Sequence, residues 1–545
     1  MAEEVWMLQT KKADFKQIGA RFRIDPVTAR IIRNRGIEGE AAIDRYLNGT
    51  LDDLYDPMLL KDMEHAVSIL CEAVDTGKKI RIVGDYDIDG VCSTYILLQA
   101  FERLGSDVDF EIPDRIKDGY GINESIIEQA HADGVEVILT CDNGISAFHQ
   151  VELAKKYGMT VVITDHHEVP LDGEKEKIPP ADAVIDPKQA DCPYPFPEIC
   201  GAVVAYKLVQ VLYARRGVPQ MEWLDLLEFA AIATVGDVMK LQDENRILVK
   251  YGLKKMAQTK NLGLRRLAEK NNLDLGAITA YHIGFVIGPC LNAGGRLKTA
   301  KEALALLRAQ SEEEAERLAE ELKELNDTRK DMTEQGTEAA KLQVESWYQK
   351  DKVLVVFLPE CHESLAGIIA GRLREYYQKP AIVLTRGEEA VKGSGRSIDE
   401  YHMFKKLTEV SDLLLKFGGH PLAAGLSLEE KNIDEFRRRL NENAGLTEED
   451  FKAKVWIDVP MPVGYVTERL VRELSCLEPF GQGNEKPLFA EKSLRIRASR
   501  VLGRNRNVVK MTLEETDGHA IEALYFGDGT AFEEERAGRR EIDVV

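Results

Sequence analysis

Three features are scarce in this 545-residue sequence. No apolar run approaches the roughly 20 residues needed to span a bilayer, so no membrane helix is expected. The eight cysteines, Cys71, Cys92, Cys141, Cys192, Cys200, Cys290, Cys361 and Cys476, include no CxxC pair. That excludes a zinc ribbon or a disulfide framework and leaves reduced thiols, most of them in apolar core segments. Positive charge is also short: the formal net charge is −21, whereas a nucleic-acid binder ordinarily shows a basic surface. Net charge does not decide that question, because an acidic metal cluster and acidic helices can carry the excess away from a basic channel. The start, MAEEVWMLQTKK, has no apolar core after a basic head; this predicts a protein retained in the cytoplasm.

What is present fits a water-soluble globular chain, 44% hydrophobic and 30% charged, long enough for several domains of about 150 residues each. Residues 79–186 repeat an apolar strand, a short turn rich in Asp, Gly or His, and a helical stretch. The strands are KIRIV (79–83), VEVILT (135–140), TVVIT (160–164) and AVI (183–185), with helical periodicity at 91–104, 123–132 and 146–157. This predicts an α/β fold with a parallel sheet, whose ligands bind at the carboxyl ends of the strands. A Pro-rich connector at 187–197 leads into helices at roughly 200–214 and 222–235, with more helix to about 310.

The stretch 311–348 has no proline, one glycine and charge on several faces, and reads as a long exposed helix between two lobes. A second α/β unit starts at KVLVVFLP (352–359) and contains two Gly-rich turns, GSGRS (393–397) and GGHPLAAG (418–425). Candidate strands at 454–459, 493–502, 507–513 and 519–526 then predict a small β-barrel. The domains expected are an N-terminal extension packed on the first lobe (1–75), a catalytic domain (76–310), a linking helix (311–348), a substrate-binding domain (349–447) and an OB-like barrel (452–545). REIDVV, the closing run, reads as a barrel strand cut short.

Acids gather at the strand ends. GDYDIDG (84–90) sets Asp85, Asp87 and Asp89 at alternate positions after a buried-type strand, where they can converge on a hard cation. A calcium EF-hand is excluded, because its twelfth loop position would be Ile96 rather than Glu and a strand, not a helix, precedes the loop. The plain alternative is a solvated acidic turn in which Asp caps the next helix. CDNG (141–144) places Asp142 after the next strand, though alone it reads equally as a turn. TDHH (164–167) supplies His166 and His167; two adjacent histidines cannot ordinarily share one ion from an extended chain. His166 is therefore assigned to metal, with His167 facing either phosphate or groups just outside the metal ligands, and Asp165 orienting one of the two histidines. ATVGDV (233–238) ends an apolar helix in Asp237, which can close the cluster.

Five carboxylates and an imidazole suit two Mg²⁺ or Mn²⁺ ions, the imidazole tilting the choice toward Mn²⁺. Such a pair predicts hydrolysis of a phosphate ester or anhydride. Phosphate recognition is expected from Arg296 in NAGGR (292–296), from Ser394 and Arg396, from Gly418, Gly419 and His420, and from Arg115. Tyr120 could stack on a base. Lys492, Arg495, Arg497, Arg500, Arg504, Arg506 and Lys510 run through the presumed barrel with no acid between them. That is the basic stripe which the total charge conceals; a solvated strand face is its plain alternative.

The ordered set GDYDIDG, CDNG, TDHH, ATVGDV, NAGGR, GSGRS and GGHPLAAG resembles the DHH phosphoesterase superfamily over about residues 80–425, and within it the RecJ exonucleases. LEPFGQGNEKPLF (477–489), leading into the barrel, also resembles that branch. The resemblance implies metal ligation by Asp85, Asp87, Asp89, Asp142, His166 and Asp237. It implies phosphate contacts from His167, Arg296, Ser394, Arg396 and His420. It further implies 5′→3′ removal of mononucleotides from single-stranded DNA in recombination and repair, beside a single-strand binding protein and a RecQ-type helicase. The alternatives are a relative acting on short oligonucleotides, cyclic dinucleotides or pyrophosphate, and a non-catalytic scaffold; the complete set of acids speaks against the scaffold.

Overall fold

The computed structural model describes residues 4–115, 119 and 121–545. It divides into two compact units, residues 51–453 and residues 4–50 together with 454–545.

In the larger unit, β1 (Ile80–Val83), β2 (Val108–Glu111), β3 (Val137–Cys141), β4 (Thr160–Thr164) and β5 (Ala183–Ile185) form a parallel sheet. Their spatial order is β2-β1-β3-β4-β5. Every residue of β1, β3 and β5 is buried, as the uninterrupted apolar runs require when helices cover both faces. Ile82 and Leu139 face a core with Ile96, Val204 and Leu208, whereas Val83 and Ile138 face Ile127, Val151 and Ala154. The chain order reverses between β1 and β3, and a crevice opens beyond the carboxyl ends of strands at such a switch point. β2 escapes the sequence reading, because a four-residue strand with two acids and half-buried positions carries little apolar signal.

The helix Glu312–Gln343 continues into a π-helical turn, Val344–Tyr348. It is less exposed than its charge suggests. Ala315, Leu318, Ala319, Leu322, Asn326, Thr333, Thr337 and Ala340 form a buried stripe, and small or polar residues in such a stripe hide it from a hydropathy reading.

The second sheet comprises β6 (Leu354–Phe357), β7 (Ala381–Arg386), β8 (Val391–Arg396), β9 (Leu414–Gly419) and β10 (Ala423–Leu428), in the order β9-β10-β8-β7-β6. Only the β6–β7 pair is parallel. GSGRS is thus largely the strand β8 and not a turn. Its glycines make room for side chains: a Cβ on Gly393 would lie 2.5 Å from Leu384, and one on Gly395 3.1 Å from Met403. NAGGR is the end of the helix Gly288–Leu297, where a Cβ on Gly295 would lie 2.3 Å from the Tyr86 carbonyl oxygen. Close packing, rather than unusual backbone angles, accounts for both motifs.

The smaller unit divides the expected extension. Residues 4–50 pack with the C-terminal part, Ile31, Ile32, Ile43 and Tyr46 sharing a core with Val459, Met461, Leu470 and Leu477. Residues 51–75 instead belong to the larger unit, with Met63, Val67 and Leu70 in its core. A buried pair, Arg35 Nη1 to Asp458 Oδ1 at 2.7 Å, ties the two segments of the smaller unit. The run 454–459 is not a barrel strand throughout: Ala453–Ile457 pairs with Glu4–Leu8, and Val459–Pro460 pairs with Phe489–Leu502. The barrel proper is a curled five-stranded sheet on that long strand, joined by Val508–Glu514, Ala520–Phe526 and Glu541–Val544. Among the described residues no helix is long and apolar enough to cross a membrane.

Candidate metal centre and anion cleft

The switch-point crevice is where the acids converge. After β1 the chain turns into the helix Ile88–Arg103. Asp87 is its N-cap, with one carboxylate oxygen accepting from the backbone N–H of Asp89 at 3.0 Å and of Gly90 at 3.1 Å. The plain reading of GDYDIDG as a capping turn is therefore correct for Asp87, and the same turn aims Asp85 and Asp89 inward, each 1% exposed. Gly90 permits this, since a Cβ there would lie 2.4 Å from the Asp85 carbonyl oxygen. Asp89 accepts 2.7 Å hydrogen bonds from the N–H groups of Gly201 and Ala202, at the start of the helix Gly201–Arg216. A helix N-terminus stabilises a carboxylate there.

Asp142, directly after β3, adopts a left-handed backbone at φ 61, an uncommon state for a residue other than glycine. Gly201 leaves it space: a Cβ would sit 2.7 Å from that of Asp142. Buried Asn143 joins the strand ends, donating to the carbonyls of Val83 at 3.0 Å and Cys141 at 2.9 Å. From β4, His166 Nε2 lies 3.1 Å from Asp142 Oδ1, 3.4 Å from Asp89 Oδ2 and 3.9 Å from Asp237 Oδ2. Asp237 is the C-cap of the helix Leu227–Gly236.

Three groups of donor atoms, each within 4.8 Å, overlap: Asp85, Asp87 and Asp142; Asp89, His166 and Asp237; Asp142, His166 and His167. All six residues assigned to metal by sequence thus come together, with Asp142 and His166 shared between groups. Burial pushes Asp85 up to about 8, helped by the charge of Asp87, and pushes Asp237 up to about 8, helped by Asp89. Asp87 and Asp142 also rise, through burial and then the charge of Asp89. Burial lowers His166, keeping it neutral and able to act as a ligand. Its Nδ1 is buried without a hydrogen-bond partner among the described residues. A buried set of carboxylates with one neutral imidazole repels itself and fits hard divalent cations.

His167 is held differently. Asp165 Oδ1 lies 2.7 Å from its Nδ1, and Asp165 Oδ2 accepts from the Ile145 N–H at 2.9 Å. Burial alone would lower His167, but the hydrogen bond and charge of Asp165 outweigh it and raise the imidazole to about 9. Burial would likewise raise Asp165; the hydrogen bond with His167 and the charge on its ring outweigh that and bring it down.

A cleft of about 520 Å³ is lined by Arg115, Arg296, Ser364, Lys392, Ser394 and Arg396, among others. Arg296 Nη1 donates to the Ser364 carbonyl at 3.0 Å, and Arg396 Nη1 to the Gly395 carbonyl at 2.8 Å. Arg115 lies 4.8 Å from the centre of the Tyr86 ring. Burial and the neighbouring charge of Arg115 pull Arg296 down to about 10. Burial also lowers Arg396, followed by the charges of Arg374 and Arg115. Crowded guanidiniums of this kind call for an anion. Gly425, the cross-strand partner of Gly418, also lines the cleft, whereas Gly418, Gly419 and His420 are exposed on the hairpin. Tyr120 lies outside the described residues.

Sequence reasoning missed the amides of Gly201 and Ala202, buried Asn143, and Ser364. Only Asn143 left a signal, as the neighbour of Asp142 in CDNG. The basic stripe proves partly neutralised from adjacent strands: Arg497 pairs with Glu514, and Lys510 with Glu522 at 2.8 Å. A register shift between Ile496 and Ala498 rephases the strand. Arg495 and Arg500 consequently share the exposed face despite their odd and even numbers. Arg504 and Arg506 are exposed in the following turn.

Family models match three stretches: the DHH family N-terminal domain at 79–234, the DHHA1 domain at 350–445 and the RecJ OB domain at 457–545. The chain is 36% identical to the single-stranded-DNA-specific exonuclease RecJ of Bacillus subtilis, over 96% of its own length and 66% of that protein's. It is 34% identical to the Haemophilus influenzae protein of the same name, over 94% and 91% respectively. A crystal structure of RecJ in complex with Mn²⁺ from Thermus thermophilus superposes with a TM-score of 0.81 at 28% identity, covering 96% of this chain and 79% of that one.

Proposed function

The chain belongs to the RecJ family, and from that premise we propose that it is a metal-dependent exonuclease removing 5′-mononucleotides from single-stranded DNA in the 5′→3′ direction. One observation carries the reading: a buried acid cluster built for cations adjoins a guanidinium cleft built for a phosphate, with Tyr86 and Asp87 of the acidic turn packed toward Arg115 and Arg296.

Asp85, Asp87, Asp89, Asp142, His166 and Asp237 would hold two ions, Mn²⁺ or Mg²⁺. When bound, these supply Lewis-acid activation of water and charge stabilisation on the leaving oxygen. The chain's own groups do the rest. Arg115, Arg296, Arg396 and Ser394 grip a terminal 5′-phosphate and so fix which phosphodiester meets the acid cluster. His167, oriented through Nδ1 by Asp165 and protonated at neutral pH, offers its Nε2 proton to a phosphate oxygen. Recognition of a chain end next to the hydrolytic centre accounts for exonuclease action and for its polarity. Arg495, Arg500, Arg504 and Arg506, with Arg497 and Lys510, supply nonspecific strand affinity. Action in the cytoplasm, in recombination and repair beside a single-strand binding protein and a RecQ-type helicase, completes the proposal.

The test is digestion of an oligonucleotide labelled at either end, with Mn²⁺, Mg²⁺ or EDTA. The proposal expects metal-dependent release of mononucleotides from the 5′ label first. Intact strands alongside hydrolysed dinucleotides or pyrophosphate would replace it with a short-substrate phosphoesterase.

A further inference from the structure

We propose that a second cleft, on the first lobe and separate from the anion cleft, binds a guanine nucleotide, with Glu228 holding the Watson–Crick edge of the base. The cleft measures about 310 Å³ and is lined by Tyr95, Tyr213, Glu228, Phe229, Lys260 and Asn261, among others. One of these residues asks for a ligand. Glu228 is 5% exposed, and its Oε1 accepts from the Thr259 hydroxyl at 2.7 Å. Its Oε2 is buried without a hydrogen-bond partner among the described residues, and burial lifts the carboxyl to about 7. The other acids of the lining are satisfied: Asp225 pairs with Lys255 and Lys260, and Glu222 with Arg103. A buried acceptor left open is costly until a donor meets it.

The rest of the lining selects among donors. Tyr95, Tyr213 and Phe229 share it with the carboxylate, the Tyr95 and Phe229 rings 4.3 Å apart, and such aromatic walls suit a flat heterocycle. An ammonium has no flat face to set against them, and a lone guanidinium fills only a small part of the 310 Å³. Guanine presents N1–H and its N2 amino group side by side, a donor pair that a carboxylate, which only accepts, can receive bidentately. Adenine and the pyrimidines lack that pair. Lys260 and Arg103 remain exposed beyond their ion pairs and supply cations for a phosphate. The site stands apart from the metal centre. Tyr95 lies six residues beyond Asp89 on the helix Ile88–Arg103, about 9 Å along its axis, and Glu228 lies nine residues before Asp237, the cap of the helix Leu227–Gly236, about 14 Å along that one. An occupant here is neither the scissile phosphodiester nor the chain end held by Arg296, and the inference does not depend on the exonuclease reading.

The experiment is calorimetric titration of nucleosides into the full chain at pH 8 in EDTA. Guanosine carries no phosphate for the Arg296 cleft to hold, so its binding reports on the base site alone. Guanosine should bind more tightly than adenosine by about tenfold to a hundredfold, with inosine, which lacks the N2 amino group, between them. Glu228→Gln should abolish guanosine binding, because its amide turns a donor toward N1–H, with the fold retained by circular dichroism. 5′-GMP should displace guanosine at lower concentration than unlabelled guanosine does, and Lys260→Ala, at an exposed position, should remove that advantage without weakening guanosine itself. No guanosine binding at millimolar concentration, equal affinity for adenosine, or guanosine binding unchanged in Glu228→Gln would overturn the proposal. Agmatine binding in place of guanosine would overturn it too, by assigning the carboxylate to a guanidinium.

Discussion

The acid cluster and the guanidinium cleft are mirror images in charge. One gathers carboxylates until burial and their neighbours lift Asp85 and Asp237 to about 8; the other gathers arginines until Arg296 falls to about 10. They are built by different means. The acids sit at the ends of a buried parallel sheet and are fixed by backbone amides, those of Gly201 and Ala202 on Asp89 and that of Ile145 on Asp165. The arginines converge from a loop, a helix end and a strand, and Arg296 and Arg396 are anchored through carbonyl oxygens, of Ser364 and Gly395 respectively. The acidic half is therefore specified within the first α/β lobe, while the basic half depends on how the two α/β lobes meet. Each half is a poor arrangement alone and a good one with its ligand, cations in the first and a phosphate in the second.

The sharpest way to break the comparison is at its shared acid. Asp142→Asn should lower Mn²⁺-dependent strand hydrolysis by on the order of 10³-fold, read as single-turnover rates, with the protein still folded by circular dichroism. On the basic side, Arg296→Lys should cost about 10²-fold in kcat/KM on 5′-phosphorylated strands, because an ammonium cannot reproduce a bidentate grip; much of that loss should vanish on 5′-hydroxyl substrates. Asp165→Asn should cost about 10–100-fold and bring the His167 imidazole down from about 9, followed by NMR titration of its ring.

Stability should separate the halves by pH. Asp85 and Asp237 titrate near 8 in the folded, metal-free protein, above their unfolded value near 4. Their contribution to stability is therefore complete below about pH 4 and lost as pH rises through about 8. Thermal unfolding in EDTA should show Tm falling across that window, and Mn²⁺ should flatten the slope; an equal slope with metal would contradict the account. The smallest effect is expected on the curled sheet. Arg495→Ala/Arg500→Ala should weaken strand binding a few-fold and reduce its salt dependence by about 0.7 per lost phosphate contact in a log–log plot.

Legibility followed the same divide. The acids could be read because each follows an apolar strand or helix, so sequence position alone predicts an element's end facing the crevice. Four of the five strands were visible for the same reason, and β2 was not, being short and acidic. GSGRS does not form the turn expected of it, since a glycine needed for close packing looks the same in sequence as one needed for a turn. Gly201 and Ala202 could not be found, because a backbone amide leaves no signature. The exposed face shared by Arg495 and Arg500 depends on a register shift, and the grouping of residues 4–50 with 454–545 depends on contacts between opposite ends of the chain.

Calorimetric titration of Mn²⁺ into the metal-free protein near pH 7, repeated in two buffers of different ionisation enthalpy, tests the central claim most directly. The account predicts two ions per chain, with protons released as the raised carboxylates ionise, and loss of that binding in Asp142→Asn. Binding without proton release, or binding indifferent to Asp142, would contradict it.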